Sequence, residues 1–494
     1  MIQTSSAIKI NIKDNVAVAL AEIKPGDVVL DVKATQTIPA GHKMALCVIK
    51  SGENVLKYGY PIGHATCEIK PGAHVHTHNL KTNLSGIEEY SYNPVAYEKP
   101  PMPERTFQGY KRADGQVGIR NEIWIINTVG CVNKIAEKIV AEAVLTFKND
   151  NIDGIYTFVH PYGCSQLGAD HTFTQQILAG MVKHPNAAGV LVLGLGCENN
   201  LISDFKEILG EYDPQRVKFL NTQDVQDEVA EGLSIIKELV DYASAFKREA
   251  IPVGKLIFGL KCGGSDGLSG ITANALVGKL TDVVTSHGGT CILTEVPEMF
   301  GAETLLMERA LNLDVFDKSV RLINDFKNYF IRHGQEIYEN PSPGNKEGGI
   351  STLEEKSLGC TQKGGNSHVV DVLDYGETVK HPGLNLLQGP GNDIVAVTNL
   401  MAAGAHIILF TTGRGTPLGA PVPTVKISSN SNLFMLKPHW IDFNAGVLVD
   451  SGTTLDELTE NFLSYLISVA EGELCQNELN GYREISIFKD GVTL

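Results

Sequence analysis

Five cysteines lie where a turn could present them to a ligand. Cys131, Cys164, Cys197 and Cys262 each follow a near-continuous apolar run beside glycine, and Cys360 follows the helix-like segment STLEEKSL. Thiolates are soft ligands that select iron or an iron–sulfur cluster. The alternative is that each cysteine packs as a small apolar side chain at a crowded strand end.

Titratable residues accompany these cysteines. The segment HPYGCSQLGADHTF places His160 and His171 around Cys164, and TEVPEMFGAE places Glu295 and Glu298 after another apolar run. Imidazole and carboxylate groups suit both metal binding and proton transfer. Each of these residues could instead be an ordinary loop residue.

The segment KCGGSDGLSGITANALVGKL is the strongest single motif. Gly263 and Gly264 with Ser265 allow backbone N–H groups to turn toward a ligand, and the helix that follows presents its positive end to an anion. Lys261 and Asp266 are then placed to act as base, acid or metal ligand. A tight turn without a ligand is the alternative.

Two further cations lie in polar loops. Arg414 in TTGRGTPLG suits bidentate recognition of a carboxylate, and Lys346 lies in a long loop that could clamp a substrate. Nucleotide motifs are missing from the sequence, because LGLGCEN offers only GxG and no segment matches GxxxxGKS or GxxxxGKT. The sequence therefore disfavours hydride and phosphoryl transfer.

Three histidines alternate in HVHTHN. On a strand, His74, His76 and His78 would share one face. The Cα atoms of neighbours would then lie about 6.5 Å apart and those of the outer pair about 13 Å apart. At most two of them could share one cation, with His42 and His64 as candidates for further ligands. We interpret the three as a polar face that binds hydroxyl groups, with an exposed polar strand as the alternative.

The composition narrows the class of protein. A chain of 494 residues predicts about three domains. A net charge of -16 disfavours binding to nucleic acid or to an anionic membrane surface. Without a leader-like segment, and with nine cysteines but no CxxC pair, we expect a cytoplasmic protein with reduced thiols.

The order of the segments predicts a multidomain fold. Short β segments between KPG-type turns indicate a small all-β domain over residues 1–92, and a proline-rich linker follows over residues 93–107. Alternation of apolar strand, glycine loop and helix then predicts an α/β second domain, 108–250, and a Rossmann-like α/β C-terminal domain, 251–494. In such parallel sheets, ligands bind beyond the carboxyl ends of the strands.

Several long motifs together resemble the altronate and galactarate dehydratase family. They are AGHKMAL, GAHVHTHNLKTNL, HPYGCSQLG, LKCGGSDGLSGITANALVG and PSPGNKEGGISTLEEKSLGCTQKGG. The resemblance covers nearly the whole chain and implies an N-terminal β-clip domain of the SAF type, a Rossmann-like body and homodimers, for which the second domain is a candidate interface. It also implies removal of water from D-altronate to give 2-keto-3-deoxy-D-gluconate, with ferrous iron as cofactor and manganese as a possible substitute.

Combining the motifs with this chemistry assigns candidate roles. The metal candidates are Cys164, Cys197, Cys262, His160 and Glu295; the catalytic candidates are Lys261, His171 and Asp266; the substrate-binding candidates are His74, His76, His78, Arg120, Gly263, Gly264, Ser265, Lys346 and Arg414. An iron–sulfur cluster in place of a single ion stays open. So do galactarate dehydration, elimination of sulfite from sulfolactate, and a sugar-acid sensor without catalysis.

Overall fold

The computed structural model describes residues 2–3, 6–99, 104–147 and 151–494, so residues 100–103 of the expected linker lie outside it. The N-terminal domain consists of short strands, as the frequent KPG-type turns predict. These are β1 Ile2–Gln3, β2 Ala7–Lys9, β3 Val16–Ala19, β4 Val28–Val29, β5 Val32–Lys33, β6 Lys43–Ala45, β7 Asn54–Lys57, β8 Tyr60–Ala65, β9 His74–Val75 and β10 Leu80–Lys81. They form antiparallel sheets in the orders β1-β2-β3-β6-β9, β10-β8-β7 and β4-β5.

The second domain combines a small antiparallel sheet with a parallel one. Its elements are β11 Thr106–Lys111, β12 Val117–Gly118, β13 Glu122–Asn127, α1 Asn133–Thr146, β14 Gly154–Thr157, α2 Gly168–Lys183, β15 Ala187–Gly194, α3 Ile202–Leu209, β16 Val217–Asn221, α4 Glu228–Ala243 and β17 Arg248–Pro252. The strand orders are β12-β11-β17, antiparallel, and β14-β13-β15-β16, parallel.

The C-terminal domain is built on a seven-stranded parallel sheet of order β20-β21-β19-β18-β22-β23-β24. Its strands are β18 Ile257–Cys262, β19 Thr290–Leu293, β20 Val369–Leu373, β21 Gly383–Leu387, β22 Ile407–Thr412, β23 Thr424–Ser428 and β24 Phe443–Asn444. Its helices are α5 Ala273–Ser286, α6 Glu303–Met307, α7 Leu313–Arg332, α8 Pro343–Glu347, α9 Leu353–Cys360, α10 Asp393–Ala402, α11 Ser431–Leu436, α12 Val447–Asp450, α13 Leu455–Ala470 and α14 Gln476–Leu479.

The central strands of both parallel sheets are buried on both faces. All residues of β13, β15, β21 and β22 are buried, which explains why these strands are nearly continuous apolar runs. The predicted fold class, a β-clip domain followed by an α/β body with a Rossmann-like sheet, is therefore confirmed. In the described part of the chain, no helix is both long enough and apolar enough to cross a membrane.

Two local expectations differ from the structure. Strand β11 begins at Thr106, inside the segment expected to be linker, because it pairs with β17 at the other end of the second domain. The HVHTHN segment is not one strand: β9 ends at Val75 and the chain then turns. The side chain of Asn79 fixes this turn, since it accepts from the His76 N–H and donates to the His74 carbonyl.

Two buried histidines lie at the junction of the second and C-terminal domains. His184 stacks on Trp124 and bonds to the Ala405 carbonyl, and His406 accepts from the Ile257 N–H. Burial lowers the pKa of His184 to about 3 and that of His406 to about 4. Both imidazoles are therefore neutral in the folded protein at any pH near neutrality.

These histidines predict a loss of stability in acid. The unfolded chain protonates them near pH 6.5 and the folded chain only near pH 3–4, so their contribution is complete above pH 6.5. We expect the free energy of unfolding to fall as the pH drops toward 4, by at most about 1.4 kcal/mol per pH unit for each histidine. Urea unfolding at pH 7 and pH 5 measures this. Replacing both by asparagine should flatten the pH dependence, whereas the same change at exposed His439 should not.

Candidate active site and metal centre

The carboxyl edge of the C-terminal sheet has a topological switch point between β18 and β22. The chain leaves β18 toward β19 on one side, whereas β22 pairs with β18 on the other. The two loops that flank the crevice are joined, because the Gly263 N–H donates to the Thr411 carbonyl and the Gly413 N–H donates to the Gly264 carbonyl, each at 3.0 Å. Open α/β sheets bind ligands at such a crevice.

Two thiols and one carboxylate converge at this edge. The Sγ atoms of Cys262, at the end of β18, and Cys360, at the end of α9, are 3.3 Å apart. Glu298 Oε2 lies 3.2 Å from each sulfur. Among the residues that the structure describes, these are the only three histidine, cysteine or acidic side chains whose donor atoms all lie within 4.8 Å of one another.

This donor set fits a divalent transition metal. Two soft thiolates and one carboxylate favour iron or zinc over calcium or magnesium, which prefer all-oxygen ligands. Three protein ligands leave a coordination position open for substrate, which is the arrangement of catalytic rather than structural metal sites. All three side chains are buried, so the site is shielded from bulk water.

Two lysines lie within hydrogen-bonding distance of these donors. Lys363 Nζ lies 2.9 Å from Cys262 Sγ, and Lys356 Nζ lies 2.8 Å from Glu298 Oε1. Burial alone would raise the pKa of Glu298, but Lys356, Lys261 and Lys363 outweigh it and hold that pKa well below its usual range. Glu298 is therefore a charged ligand at neutral pH, whereas the hydrogen bond with Cys262 and burial raise the pKa of the Cys360 thiol well above its ordinary value.

A second acid–base group lies beside the three donors. Lys261, fully buried at the end of β18, is ion-paired with Glu295 and, at 2.9 Å, with Asp393. Burial opposes the charge of this ammonium, yet Glu295, Asp393 and Glu298 raise the pKa of Lys261 well above its ordinary value. Lys261 is therefore a charged ammonium group at neutral pH, not a free amine.

Glu295 is held in a conformation that few residues adopt. Its φ of 71° is left-handed, which costs on the order of 1–3 kcal/mol for a residue other than glycine. One of its carboxylate oxygens accepts from the Cys262 N–H at 3.0 Å. Burial and the neighbouring Glu298 raise the pKa of Glu295 more than Lys261 and Lys363 lower it. A carboxyl group with a raised pKa is suited to take up and return a proton.

The β-clip domain fixes the helix that carries Cys360. Lys43 and Lys57 both pair with Glu355 of α9, each at 2.8 Å, and all three side chains are buried. Burial alone would raise the pKa of Glu355, but the two ammonium groups lower it to about 2. The neighbouring Glu354 accepts from the Thr82 hydroxyl at 2.8 Å.

Breaking this buried contact predicts a large loss of stability. Changing Glu355 to glutamine leaves two lysines buried without a counter-charge, which should lower the free energy of unfolding by about 3–5 kcal/mol. Urea unfolding measures the loss. As a control, Asp241→Asn removes the exposed ion pair with Lys237 and should change stability by less than about 0.5 kcal/mol. Equal effects of the two changes would contradict this account of the interface.

Four histidines of the β-clip domain form one cluster against α8. The rings of His42 and His76 stack at 4.9 Å, and the His74 ring lies 5.5 Å from both His76 and His78. The expectation that the outer pair, His74 and His78, is held apart on an extended strand is therefore wrong, because the turn after β9 brings their rings together. His64 instead bonds to Asn83.

Three histidines of the cluster contact the end of α8 or each other as neutral imidazoles. His76 Nε2 donates to the Lys346 carbonyl at 2.8 Å, and His42 Nε2 donates to the Glu347 carbonyl at 3.1 Å. His42 Nδ1 then accepts from His74 Nε2 at 2.9 Å. Burial lowers the pKa of His42 and lowers that of His74 to about 3, which agrees with this hydrogen-bond pattern.

The other predicted substrate residues of the C-terminal domain lie around the same segment. Arg414, half-exposed, pairs with Glu347 at 3.0 Å and with the Gly344 carbonyl. Asp266 accepts from the hydroxyl groups of Ser269 and Ser429, so it holds the glycine loop together. Ser265 and Asp266 line a cavity of about 10 Å³, the space of a single water molecule. The β-clip domain closes one side of this cavity, because Lys57 and Tyr58 also line it.

The remaining predicted residues lie in the second domain, on a different sheet. Cys164, Cys197 and His160 lie beyond its carboxyl edge, and His171 lies on α2. The structure thus does not bring them together with Cys262, Glu295 and Lys261. Arg120 needs a correction: its guanidinium is buried and paired bidentately with Glu478 at 2.8 and 2.9 Å, so it does not reach a substrate.

Five residues of the site were absent from the predicted roles. They are Glu298, Cys360, Lys356, Lys363 and Asp393. The first two carried a signal, since Glu298 follows an apolar run and Cys360 follows the helix-like segment STLEEKSL. Lys363 lies with Cys360 in the glycine-rich segment CTQKGG, whereas Asp393 follows an ordinary helix start and carried none.

Comparison with protein families agrees with this architecture. The model described as "Altronate/galactarate dehydratase SAF domain" matches residues 5–83. "D-galactarate dehydratase/Altronate hydrolase, second domain" matches residues 109–244, and "D-galactarate/Altronate dehydratase, C-terminal" matches residues 253–493. The chain belongs to the altronate and galactarate dehydratase family.

Individual relatives match over nearly the full length. An altronate dehydratase of Bacillus subtilis (strain 168) is 54% identical over 99% of this chain and 100% of its own. An altronate dehydratase of Escherichia coli (strain K12) is 53% identical over 99% of both chains. A galactarate dehydratase (L-threo-forming) of the same E. coli strain is 32% identical over 95% of this chain and 94% of its own.

Proposed function

We propose that this protein is a metal-dependent altronate dehydratase that converts D-altronate to 2-keto-3-deoxy-D-gluconate and water. The observation that carries the proposal is the buried Cys262–Glu298–Cys360 group beside the Lys261–Glu295 pair, at the sheet edge where α/β folds bind ligands. The choice of altronate over galactarate rests on identities of 54% and 53% against 32%.

The metal is proposed to be ferrous iron held by Cys262, Glu298 and Cys360. When bound, such an ion is a Lewis acid that stabilises negative charge on the substrate's carboxylate and hydroxyl oxygens. The lysines around the ligands offset the charge of two thiolates and one carboxylate. Manganese is the proposed substitute, although soft sulfur ligands suit it less well than they suit iron.

The residues of this chain then divide the proton transfers. Glu295 removes the proton from C2 of the substrate, next to the carboxylate. Lys261 donates a proton to the C3 hydroxyl group, which departs as water. The resulting enol takes a proton at C3 and becomes the 2-keto acid. A base and an acid are both needed, because the C2–H bond breaks while the C3 hydroxyl group leaves.

The substrate is proposed to bind where the β-clip domain meets α8. Arg414 and Lys346 supply positive charge for the sugar-acid carboxylate, and the histidine cluster supplies donors for its hydroxyl groups once α8 shifts. The Arg414 guanidinium already contacts one carboxylate in this structure, since its Nη1 atom lies 3.0 Å from Glu347 Oε2.

Changing His76 to alanine should weaken substrate binding without loss of metal. We expect the KM for altronate to rise about tenfold, which corresponds to the loss of one or two hydrogen bonds, and the iron content to stay unchanged. His64→Ala, at a histidine of the same domain outside the cluster, is the control and should leave KM as it is. If the His76 variant loses iron instead, the histidine cluster belongs to the metal site.

The function is tested by turnover on a panel of sugar acids. The protein is loaded with ferrous iron under anaerobic, reducing conditions and supplied with altronate, galactarate or mannonate, and the 2-keto acid is quantified. We expect kcat/KM for altronate to exceed that for the others at least tenfold. Preference for galactarate would move the protein to the other branch of its family, and no 2-keto acid from any of the three would revive the sensor hypothesis.

We also propose, from the family resemblance, that the enzyme is a cytoplasmic homodimer. The nine cysteines are all free, which agrees with a reducing compartment. Light scattering during gel filtration should give a mass of two chains, and a monomer at micromolar concentration would contradict the proposal.

A further inference from the structure

Three exposed thiols mark a second edge of the molecule. Cys131, Cys164 and Cys197 follow β13, β14 and β15, three neighbouring strands of the second domain's parallel sheet. Cysteine is among the residue types most often buried, so three exposed cysteines at one sheet edge are unusual. The C-terminal metal site uses none of them.

The three loops that carry these thiols are locked to one another. The Gly130 N–H donates to the Tyr162 carbonyl at 2.8 Å. Asn200 bridges the other two loops: its backbone N–H donates to the Gly163 carbonyl and its side chain donates to the Thr128 carbonyl, both at 3.0 Å. Gly163 packs so closely that a Cβ there would lie 1.9 Å from the Thr128 oxygen. The thiols therefore project from one interlocked unit.

This unit surrounds the switch point of the sheet. The chain passes from β13 to β14 on one side, whereas β15 pairs with β13 on the other. The crevice between the loops after β13 and β15, which carry Cys131 and Cys197, is where an open α/β sheet binds a ligand. The first turns of α1, α2 and α3 follow these loops, so three helix N-termini favour negative charge there.

Two buried side-chain amide oxygens at the same edge lack a hydrogen-bond donor among the described residues. The side chains of Asn127 and Asn200 are fully buried, yet among the described residues neither Oδ1 accepts a hydrogen bond. An unpaired buried acceptor costs about 1–3 kcal/mol, so native proteins usually satisfy it with a donor or a cation. An iron at this edge with a free coordination position would take one of these oxygens as a ligand.

A single ion and an iron–sulfur cluster require different distances between their thiolate ligands. One tetrahedral ion with metal–sulfur bonds of about 2.3 Å needs its thiolates within roughly 4 Å of one another. In the described part of the chain, no group of three metal-ligand atoms within 4.8 Å includes any of these thiols. An iron–sulfur cluster binds each thiolate to a different iron and so accepts a wider spacing.

We propose that Cys131, Cys164 and Cys197 bind a four-iron four-sulfur cluster at the switch point of the second domain. Three thiolates occupy three irons, and the fourth iron takes water or an amide oxygen of the loops. The cluster is separate from the single ion of the C-terminal site, because the two sets of ligands belong to different sheets.

The test is reconstitution of the full chain with ferrous iron and sulfide under anaerobic conditions. We expect about five iron and about four acid-labile sulfide per chain, with the charge-transfer absorption of an iron–sulfur cluster. In the triple variant C131S/C164S/C197S, labile sulfide and absorption should vanish while about one iron stays. In C360S, the sulfide should stay and about one iron should be lost.

Exposed cysteines elsewhere provide the matched control. Cys47 and Cys67 are exposed on the β-clip domain, and C47S/C67S should keep the full sulfide content. Urea unfolding of the protein without iron should be unchanged in the triple variant, since the replaced side chains are exposed. Reconstituted wild-type protein without labile sulfide, or a triple variant that retains it, would overturn the proposal. Loss of sulfide in C47S/C67S would show non-specific loading and overturn it as well.

Discussion

Replacing Cys360 by serine is expected to abolish altronate turnover together with iron binding at the C-terminal site. A hydroxyl group is a far weaker ligand than a thiolate, and Cys360 is one of only three side chains in this donor set. Loss of groups that merely orient metal ligands costs roughly 10–100-fold in affinity or activity, so loss of a ligand should cost more. Iron analysis and turnover on the same anaerobic sample measure both effects.

The matched control is serine at Cys475, another fully buried cysteine. Cys475 caps α14, and serine is a good capping residue, so this variant should keep its iron and turnover. A Cys360 variant with normal iron content and normal turnover would remove the thiolates from the metal site. The family's chemistry would then have to rest on carboxylate ligands such as Glu295 and Glu298.

The fold was predictable because a strand that is buried on both faces is visible in the sequence as a run of apolar residues. Strand β22, IILFTT, is apolar over most of its length since both of its faces are covered, and the glycine that follows marks the loop. The same pattern of an apolar run followed by glycine predicted that Cys262 and Lys261 lie at a strand end. It did not show that Cys164 and Cys197 lie beside a different sheet from Cys262, because the second domain and the C-terminal domain follow the same pattern of strand, loop and helix.

The composition of the metal site was not predictable for a different reason. Cys360 is 98 residues from Cys262 and 62 from Glu298, and it arrives on a helix rather than on a strand. That helix is placed by its contact with Lys43 and Lys57 of another domain, which only the folded chain shows. Ligand sets assembled from three elements in this way have no fixed spacing in sequence.

The histidine cluster shows how one side chain can overturn a periodicity argument. HVHTHN alternates as a strand would, but Asn79 closes a turn after Val75 by bonding to the backbone of His74 and His76. Asparagine favours turns because its amide can replace backbone partners in this way. The asparagine in the segment was therefore a signal against a strand.

Substitution of Lys261 is expected to have the second large effect on turnover. The proposed role of this residue is the transfer of a single proton. Changing Lys261 to methionine should lower kcat by about 10²–10⁴-fold, the usual worth of a general acid, while the iron content stays near normal. Lys261→Arg keeps the positive charge beside Glu295 but holds its proton too tightly to donate it, so it should lose activity and keep stability. Lys279→Met, at an exposed lysine, is the control.

A fluorinated substrate separates proton donation from charge stabilisation. In 3-deoxy-3-fluoro-altronate the leaving group is fluoride, which departs without a proton. If Lys261 protonates the leaving hydroxyl group, the methionine and arginine variants should eliminate fluoride within about tenfold of the wild-type rate, although both fail on altronate. An equal loss on both substrates would mean that Lys261 acts on the carboxylate or the enolate instead. Because the same samples give the iron content, a loss caused by the metal site is recognised separately.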